Sequence, residues 1–351
     1  MNRSRVPVRP SDVTRGGAWS RELDVAVSVV TDATVLARDI QGQIRGEAFL
    51  KPDQSPVTIA DFAVQAVVAD RLARELPADT LVAEEDATSL RARDGEPIVA
   101  SILTWIRRFA PDADAGRALA AIDRGAGSPG DRFWTLDPID GTEGFIRDGQ
   151  YVIALALVVR GQVEVGVLGC PRLSLTSGDE RIADAEARHA GSIAFAMRGH
   201  GSFAAPLVAT GECSPLRVSA VREPHVARVL RSRAGHHIDL AAFNEVIREL
   251  GVEVAPILMD SQAKHAVLAA GHADLLLRIP ARSDYRDKIW DHAAGALILE
   301  EAGGRVTDLR GDPLDFRAGR TLVRNRGVIA SNGHVHDAVV DAIRRLGMID
   351  G

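Results

Sequence analysis

Acidic residues gather at element ends in three places along the chain. Glu84-Glu85-Asp86 follows the short apolar run Leu81-Val82-Ala83. Asp137 and Asp140 flank Pro138-Ile139 in an Asp-Pro-Ile-Asp-Gly-Thr segment at 137–142. Asp291 follows Ile289-Trp290 and precedes the helical stretch His292–Ala302, which stops at Gly303-Gly304. A fourth acid, Asp61, sits in the helix start Thr58-Ile59-Ala60-Asp61. Pro138 biases Asp137 toward an extended backbone, and Gly141 lets the chain turn tightly and approach a ligand closely. Two carboxylates around such a turn can converge on one point. Hard cations such as Mg²⁺ bind through a few carboxylates plus substrate phosphates. The amides from Gly141 onward can begin a helix whose N-terminus accepts a phosphate. Plainer roles stay open for each acid alone: a helix cap for Asp291, a solvated face for Glu84 and Glu85, a turn for Asp137. The joint occurrence of all these acids with Asp61 favours a shared cation centre.

The elements that must position these groups can be read from periodicity. Helical patterning runs from about Ser20 to Ile40. Ser55-Pro56-Val57-Thr58 introduces a second helix with Ile59, Phe62, Ala66 and Val67 on one face. A third covers about 97–110, where Ile98, Ile102, Trp105 and Phe109 recur at helical spacing. Leu81–Ala83 and Arg132–Leu136 read as strands, with loop and one short helix between 111 and 131. Tyr151–Arg160 and Val163–Leu168, joined at Gly161-Gln162, read as an antiparallel hairpin. Strands then follow near 192–197, 226–232, 253–258, 273–279, 304–307 and 327–331. Helices follow near 238–250, 261–271, 291–302 and 335–346. The pattern is that of an α/β protein, with an α+β subdomain at 19–168 and an α/β subdomain at 169–351. Residues 1–18 read as a flexible arm.

Composition excludes several classes. The 351 residues are 46% hydrophobic and 26% charged, as in globular domains. The longest apolar run, Tyr151–Val159, is too short to span a bilayer, and the basic N-terminus leads into no signal-peptide core. Two cysteines, Cys170 and Cys213, make no disulfide framework, which favours the cytoplasm. A net charge of −6 argues against nucleic-acid polymers as partners. The basic residues are almost all arginine. Lys51, Lys264 and Lys288 are the lysines, and each lies in or beside one of the segments singled out here. An ammonium and a guanidinium are not interchangeable at a tight site.

Together these segments resemble the inositol monophosphatase superfamily of Mg²⁺-dependent, lithium-sensitive phosphatases. The resemblance is carried by Val82–Asp86, Phe133–Phe145, Lys288–Gly295 and Glu301–Gly304, and it covers roughly residues 20–345. Within the superfamily the chain looks most like the 3′(2′),5′-bisphosphate nucleotidases. That likeness rests on Ser55–Asp61, Ile122–Gly125 before Arg132–Trp134, Asp260–Lys264 and Asp287–Gly295. The resemblance implies a layered αβαβα sandwich, like that of sugar phosphatases, with the site between two subdomains. It implies two or three Mg²⁺ ions held by Glu84, Asp137, Asp140, Asp291 and the Ile139 carbonyl. Asp61 and Thr142 would orient and activate the attacking water. Gly141, Thr142, His236, Ser261, Lys264 and Arg278 would contact a bisphosphate nucleotide, with His237 a rival for His236. On the plainer side, Lys264 reads as a solvated helix residue, Arg278 as one surface arginine among many, and Trp134 and Trp290 as packing residues. Relatives often carry Lys where this chain has Glu143, which exchanges positive for negative charge close to the metals. An inositol-phosphate or sugar-phosphate phosphatase would need the same acids without an adenine pocket. A non-catalytic nucleotide sensor would lack a cation ligand or a water-activating group, and this chain has both.

Overall fold

The computed structural model describes residues 10–14, 16–43, 49–50, 56–92, 95–175, 191–207, 213–233 and 238–349. Lys51, His236 and His237 lie outside the described residues.

Five layers stack as helix, sheet, helix, sheet, helix. The first layer holds α1 (Pro10–Thr14), α2 (Ser20–Gln43), α3 (Ile59–Glu75), α4 (Glu96–Ile106) and α5 (Ala115–Asp123). A two-residue ladder of β1 (Phe49–Leu50) and β2 (Pro56–Val57) leads into α3. The large sheet runs β3 (Thr80–Ala83), β4 (Arg132–Asp140), β5 (Val152–Val159), β6 (Gln162–Cys170), β7 (Ser192–Met197), β8 (Ser202–Pro206) and β9 (Ser214–Pro215), in that spatial order. A short helix, α6 (Thr142–Ile146), follows β4.

Four further helices complete the layers: α7 (Leu240–Glu249), α8 (Ala263–Ala269), α9 (Ala293–Glu301) and α10 (His336–Arg345). Helices α8 and α9 form the middle layer. The second sheet has the order β11 (Ile257–Leu258), β10 (Val229–Arg231), β12 (Leu275–Arg278), β14 (Val328–Ser331), β13 (Arg305–Thr307). Helices α7 and α10 close the stack. The expected αβαβα sandwich is therefore observed.

Each helix reflects its layer. In α2, Leu23, Ala26, Val30, Ala33, Ala37 and Ile40 recur at helical spacing and are fully buried, while the other face meets solvent. In α9 every residue from Ala293 to Leu299 is buried, because sheets lie on both sides. The same holds for α8, whose buried residues include Lys264 and His265. Strand β6 is gripped from both faces. A Cβ at Gly166 would lie 2.8 Å from the Ala294 carbonyl oxygen of α9, and one at Gly169 would collide with Thr34 of α2. Positions three apart on a strand face opposite sides. No described helix is long and apolar enough to cross a membrane.

Two strands are shorter than expected, and the expected subdomain boundary and arm meet particular elements. The boundary between 168 and 169 falls inside β6, and the same sheet continues through β7, β8 and β9. Alternating strands report burial, not which sheet they join. Within the expected arm, Pro10–Thr14 is helical, with Pro10 and Thr14 buried. The strands expected at 226–232 and 253–258 shrink to Val229–Arg231 and Ile257–Leu258.

Gly166→Ala should destabilise the fold by about 1–3 kcal/mol, the usual cost of overpacking where backbone must move. Chemical denaturation of the two proteins measures it.

Candidate functional site

Strand β4 brings its two acids together through an irregularity. Asp137 pairs with Ala154, but Asp140 pairs with Val152, so one extra residue stands on β4. Residues three apart on a regular strand point to opposite faces. The extra residue of a bulge returns them to the same side. The Asp137 Oδ1 accepts the Ile139 amide at 3.1 Å, which fixes the turn. Glu84 joins them because β3 runs parallel to β4 with Ala83 opposite Leu136, and the Glu84 amide donates to the Leu136 carbonyl at 3.2 Å.

Asp291 arrives from the other half of the chain. It ends a 3₁₀ turn, Ile289–Asp291, and its Oδ2 accepts the Lys288 amide at 3.3 Å. Its capping contact serves this turn, while α9 begins at Ala293 with His292 at its cap. Asp61 is placed by a capping box. Its Oδ2 accepts the Thr58 amide at 2.7 Å and the Thr58 hydroxyl at 2.6 Å. The other oxygen, Oδ1, lies 3.4 Å from the Thr142 Oγ1, which is also 3.1 Å from the Ile139 carbonyl oxygen.

The acids destabilise one another's ionised forms. Burial pushes Asp137 well above the ordinary carboxyl range, with added repulsion from Glu84, Asp140, Asp291 and Asp61. Burial likewise pushes Asp291 well up, with Asp140, Asp287 and Glu84 adding to it. Asp140 is raised by burial and partly relieved by Lys264 and Gln262. An all-oxygen donor set under such repulsion fits a hard divalent cation, which restores the charged carboxylates. Asp287, Asp291 and His292 also present ligand atoms within 4.8 Å of one another. There Arg278 already engages Asp287, with Nε at 2.6 Å from Oδ1.

A cavity of about 280 Å³ opens over these acids. Its walls include Glu84, Asp137, Ile139, Asp140, Gly141 and Thr142 on one side. Ser261, Lys264, Arg278 and Asp291 line it as well, so the described candidates other than Asp61 share one cavity. Asp61 stands behind Thr142. Gly141 adopts φ +88°, and a Cβ on it would come within 3.0 Å of the Ser261 side chain. Both the turn and the close approach require glycine. Ser261 itself has φ +65°, and its hydroxyl accepts the Ala263 amide at 3.2 Å as α8 begins.

Lys264 is only 7% exposed, which rules out the solvated reading. Its Nζ donates to the Met259 carbonyl at 3.2 Å. Burial pulls its pKa down to about 8, against the attraction of Asp140 and Asp260. Arg278 also donates to the Tyr285 hydroxyl at 3.2 Å. Burial would raise the Asp287 carboxyl, but Arg278 and His292 outweigh it and hold it well below the usual range. Glu143 has its charge taken up by Arg147 at 3.0 Å, and Arg147 reaches on to Asp260 at 2.7 Å. Trp134 is a packing residue, fully buried with its Nε1 on Asp79 at 2.9 Å.

Sequence reasoning missed Gln262. Its amide donates to Asp140 Oδ2 at 2.6 Å. Its side chain donates to the Trp290 carbonyl at 2.8 Å and accepts the Gly295 amide at 3.0 Å. It thereby ties Asp140, α8 and the Asp291 segment together. Its place between Ser261 and Lys264 was the available signal. His265 and His292 also line the cavity, both buried, with ring centres 6.0 Å apart.

Such a sandwich with an acidic cavity between sheets marks a class of phosphatase. The sequence matches the inositol monophosphatase family over residues 20–347, and the chain belongs to that family. A 3′(2′),5′-bisphosphate nucleotidase of Emericella nidulans is 36% identical over 353 residues, covering 94% of this chain and 99% of the relative. A 3′(2′),5′-bisphosphate nucleotidase of Oryza sativa is 37% identical over 342 residues, covering 94% and 95%. Among solved structures, an IMPase of Thermotoga maritima superposes with a TM-score of 0.63 at 21% identity, covering 94% of this chain and 99% of that one. The SuhB protein of Mycobacterium tuberculosis gives 0.58 at 20%, covering 93% and 96%. These two likenesses concern the fold.

Gln262→Ala leaves the Gly295 amide and the Trp290 carbonyl buried without that partner. A loss of about 1–3 kcal/mol for each stranded group is expected, read by equilibrium unfolding.

Proposed function

We propose that this chain is a Mg²⁺-dependent phosphoric monoester hydrolase. On this reading it removes the 3′-phosphate of 3′-phosphoadenosine 5′-phosphate, giving AMP and phosphate. The observation that carries it is the single cavity in which the acid cluster faces Lys264 and Arg278. The nucleotidase names of relatives at 36% and 37% identity support the substrate class.

Glu84, Asp137, Asp140, Asp291 and the Ile139 carbonyl would hold the cations. When bound, divalent cations offset the carboxylate charge and stabilise the attacking and leaving oxygens of an in-line displacement. Asp61 serves as the fixed acceptor, since Thr58 holds one of its oxygens and leaves the other toward Thr142. The Thr142 hydroxyl has one proton and two acceptors, Ile139 and Asp61. Donation to Asp61 frees its oxygen lone pair to accept from the attacking water, whose proton then passes toward Asp61. Attack on phosphorus breaks the bond to the ribose 3′ oxygen, which leaves as a hydroxyl by taking a proton from solvent, while the proton held at Asp61 returns to solvent, so that one water is consumed for each phosphate released.

Lys264, at the start of α8, would meet the second phosphate with Ser261 and Arg278. His236, from the resemblance, would contact the nucleoside. Residues 19–168 would supply most of the cation centre, and 169–351 the nucleotide contacts and Asp291. Glu143, paired with Arg147, leaves that assignment intact. On this reading, consumption of such a nucleotide clears a by-product of sulfate activation, and the two cysteines, too few for a disulfide framework, are in keeping with work in the cytoplasm.

Phosphate release from a panel of bisphosphate nucleotides and inositol phosphates tests the proposal. Turnover is expected with the bisphosphate nucleotide, to be lost on chelation, in Asp140→Asn and in the presence of Li⁺. Release from inositol 1-phosphate alone would overturn the substrate assignment.

Lys264 adds a pH dependence with a definite sign. Its ammonium is charged below about 8 and neutral above it. KM for an anionic substrate should therefore rise as pH rises through that value. A charge-assisted hydrogen bond contributes about 1.5–3 kcal/mol, so a rise of roughly tenfold or more is expected. Lys264→Arg, which stays charged, should remove the pH dependence whatever its KM.

A further inference from the structure

The acids of the cluster come from opposite ends of the chain, and something must hold them in register. Glu84 directly follows β3, at the edge of the large sheet. Asp291 ends the turn that precedes α9. Arg320, in the loop between β13 and β14, touches both segments.

On the Glu84 side its guanidinium donates to the carbonyl of Ala83, the residue just before Glu84. It also donates to the Gly125 carbonyl at 3.1 Å and the Gly127 carbonyl at 3.2 Å. Gly125 in turn accepts the Ala83 amide at 2.8 Å, so the three acceptors form one unit at the end of β3. On the Asp291 side the Arg320 guanidinium carbon lies 4.8 Å from the centre of the Trp290 ring, one residue before Asp291. The Arg320 carbonyl accepts the Ile289 amide at 3.1 Å, and Lys288 bridges to Thr321 beside it. One residue thus grips the end of β3 with its side chain and the Asp291 turn with its backbone.

The guanidinium suits this task. It is planar, presents several donors in a fixed fork and stacks on aromatic faces. The acids it spans repel one another, since both Asp137 and Asp291 feel the charge of Glu84. Left unstrapped, the segments would relax apart and raise the cost of gathering their oxygens around one ion.

We infer that Arg320 is a positioning residue for the cation centre, setting the spacing between Glu84 and Asp291 without contacting the ion. This rests on the reading that these carboxylates hold divalent cations. Partners one step behind metal ligands typically affect affinity about 10–100-fold.

The experiment is calorimetric titration of Mg²⁺ into metal-free wild type, Arg320→Ala and Arg320→Lys. The melting temperature of each metal-free protein is measured alongside. Both variants should bind Mg²⁺ about 10–100-fold more weakly. The lysine variant weakens because one ammonium cannot span three carbonyls and a ring. A surface control, Arg345→Ala, breaks the exposed pair with Glu249 and should leave the affinity unchanged. A lowered melting temperature with wild-type Mg²⁺ affinity in either variant makes Arg320 merely structural and overturns the inference. Should the alanine variant not fold, the lysine variant carries the same decision. Wild type that binds no Mg²⁺ defeats the cation reading itself, whereas wild-type binding matched by both variants defeats Arg320 alone.

Discussion

The architecture turns on one electrostatic conflict: carboxylates that repel each other are held in a common cavity. Burial and mutual repulsion push Asp137 and Asp291 far from their ordinary ionisation. A fold that left these residues free to move would separate them. Here each is tied from behind. The bulge in β4 aims Asp137 and Asp140 to one side. Parallel pairing with β4 places Glu84, and a 3₁₀ turn places Asp291. The conflict is what makes the site receptive to cations, because a hard cation reverses the repulsion that the fold maintains.

The five layers explain how two halves of the chain meet there. The middle layer, α8 and α9, is sandwiched between sheets, with all of α8 and Ala293–Leu299 of α9 buried. Lys264 and His265 in the first turn of α8 line the cavity, as does His292 at the cap of α9. Gln262 acts as the joint between halves, with its backbone on Asp140 and its side chain on the Trp290–Gly295 segment. Burial in that layer also gives Lys264 its lowered proton affinity. A cation that is costly to keep charged is well suited to an anionic ligand that repays the cost.

Much of this was legible in the chain. The long helix at 20–43 shows one-sided apolar spacing, and the β5–β6 hairpin shows as two apolar runs broken at a glycine, with the turn at Arg160-Gly161, one residue before the expected Gly161-Gln162; the helix at 59–75 is buried all round from Ile59 to Ala69, beyond the one apolar face expected of it. The acid groups around 84, 137–140 and 291 stood out because charged residues rarely cluster at apolar element ends without a reason. Less legible were β8 and β9, where short strands carry few alternating residues. Also hidden was the sheet continuing past 168, since pairing partners lie far apart in sequence. Lys264 read equally as a surface residue, because a short helix in a middle layer has no polar face to contrast with an apolar one.

The sequence alone determined the donor chemistry: which oxygens and which cations are available, and the glycine at 141 that the turn requires. Tertiary structure decided which of them meet. Asp137 and Asp140 share a face only through the bulged register with β5, and Glu143 is neutralised only because Arg147 lies one helical turn away and reaches Asp260. Arg278 turned out to be engaged by Asp287, nine residues along, as well as lining the cavity. The bulge depends on the β4–β5 hydrogen-bond register, and the Arg147 contact with Asp260 joins segments 113 residues apart. Side-chain type and spacing encode local geometry, and long-range register arises only when the layers pack.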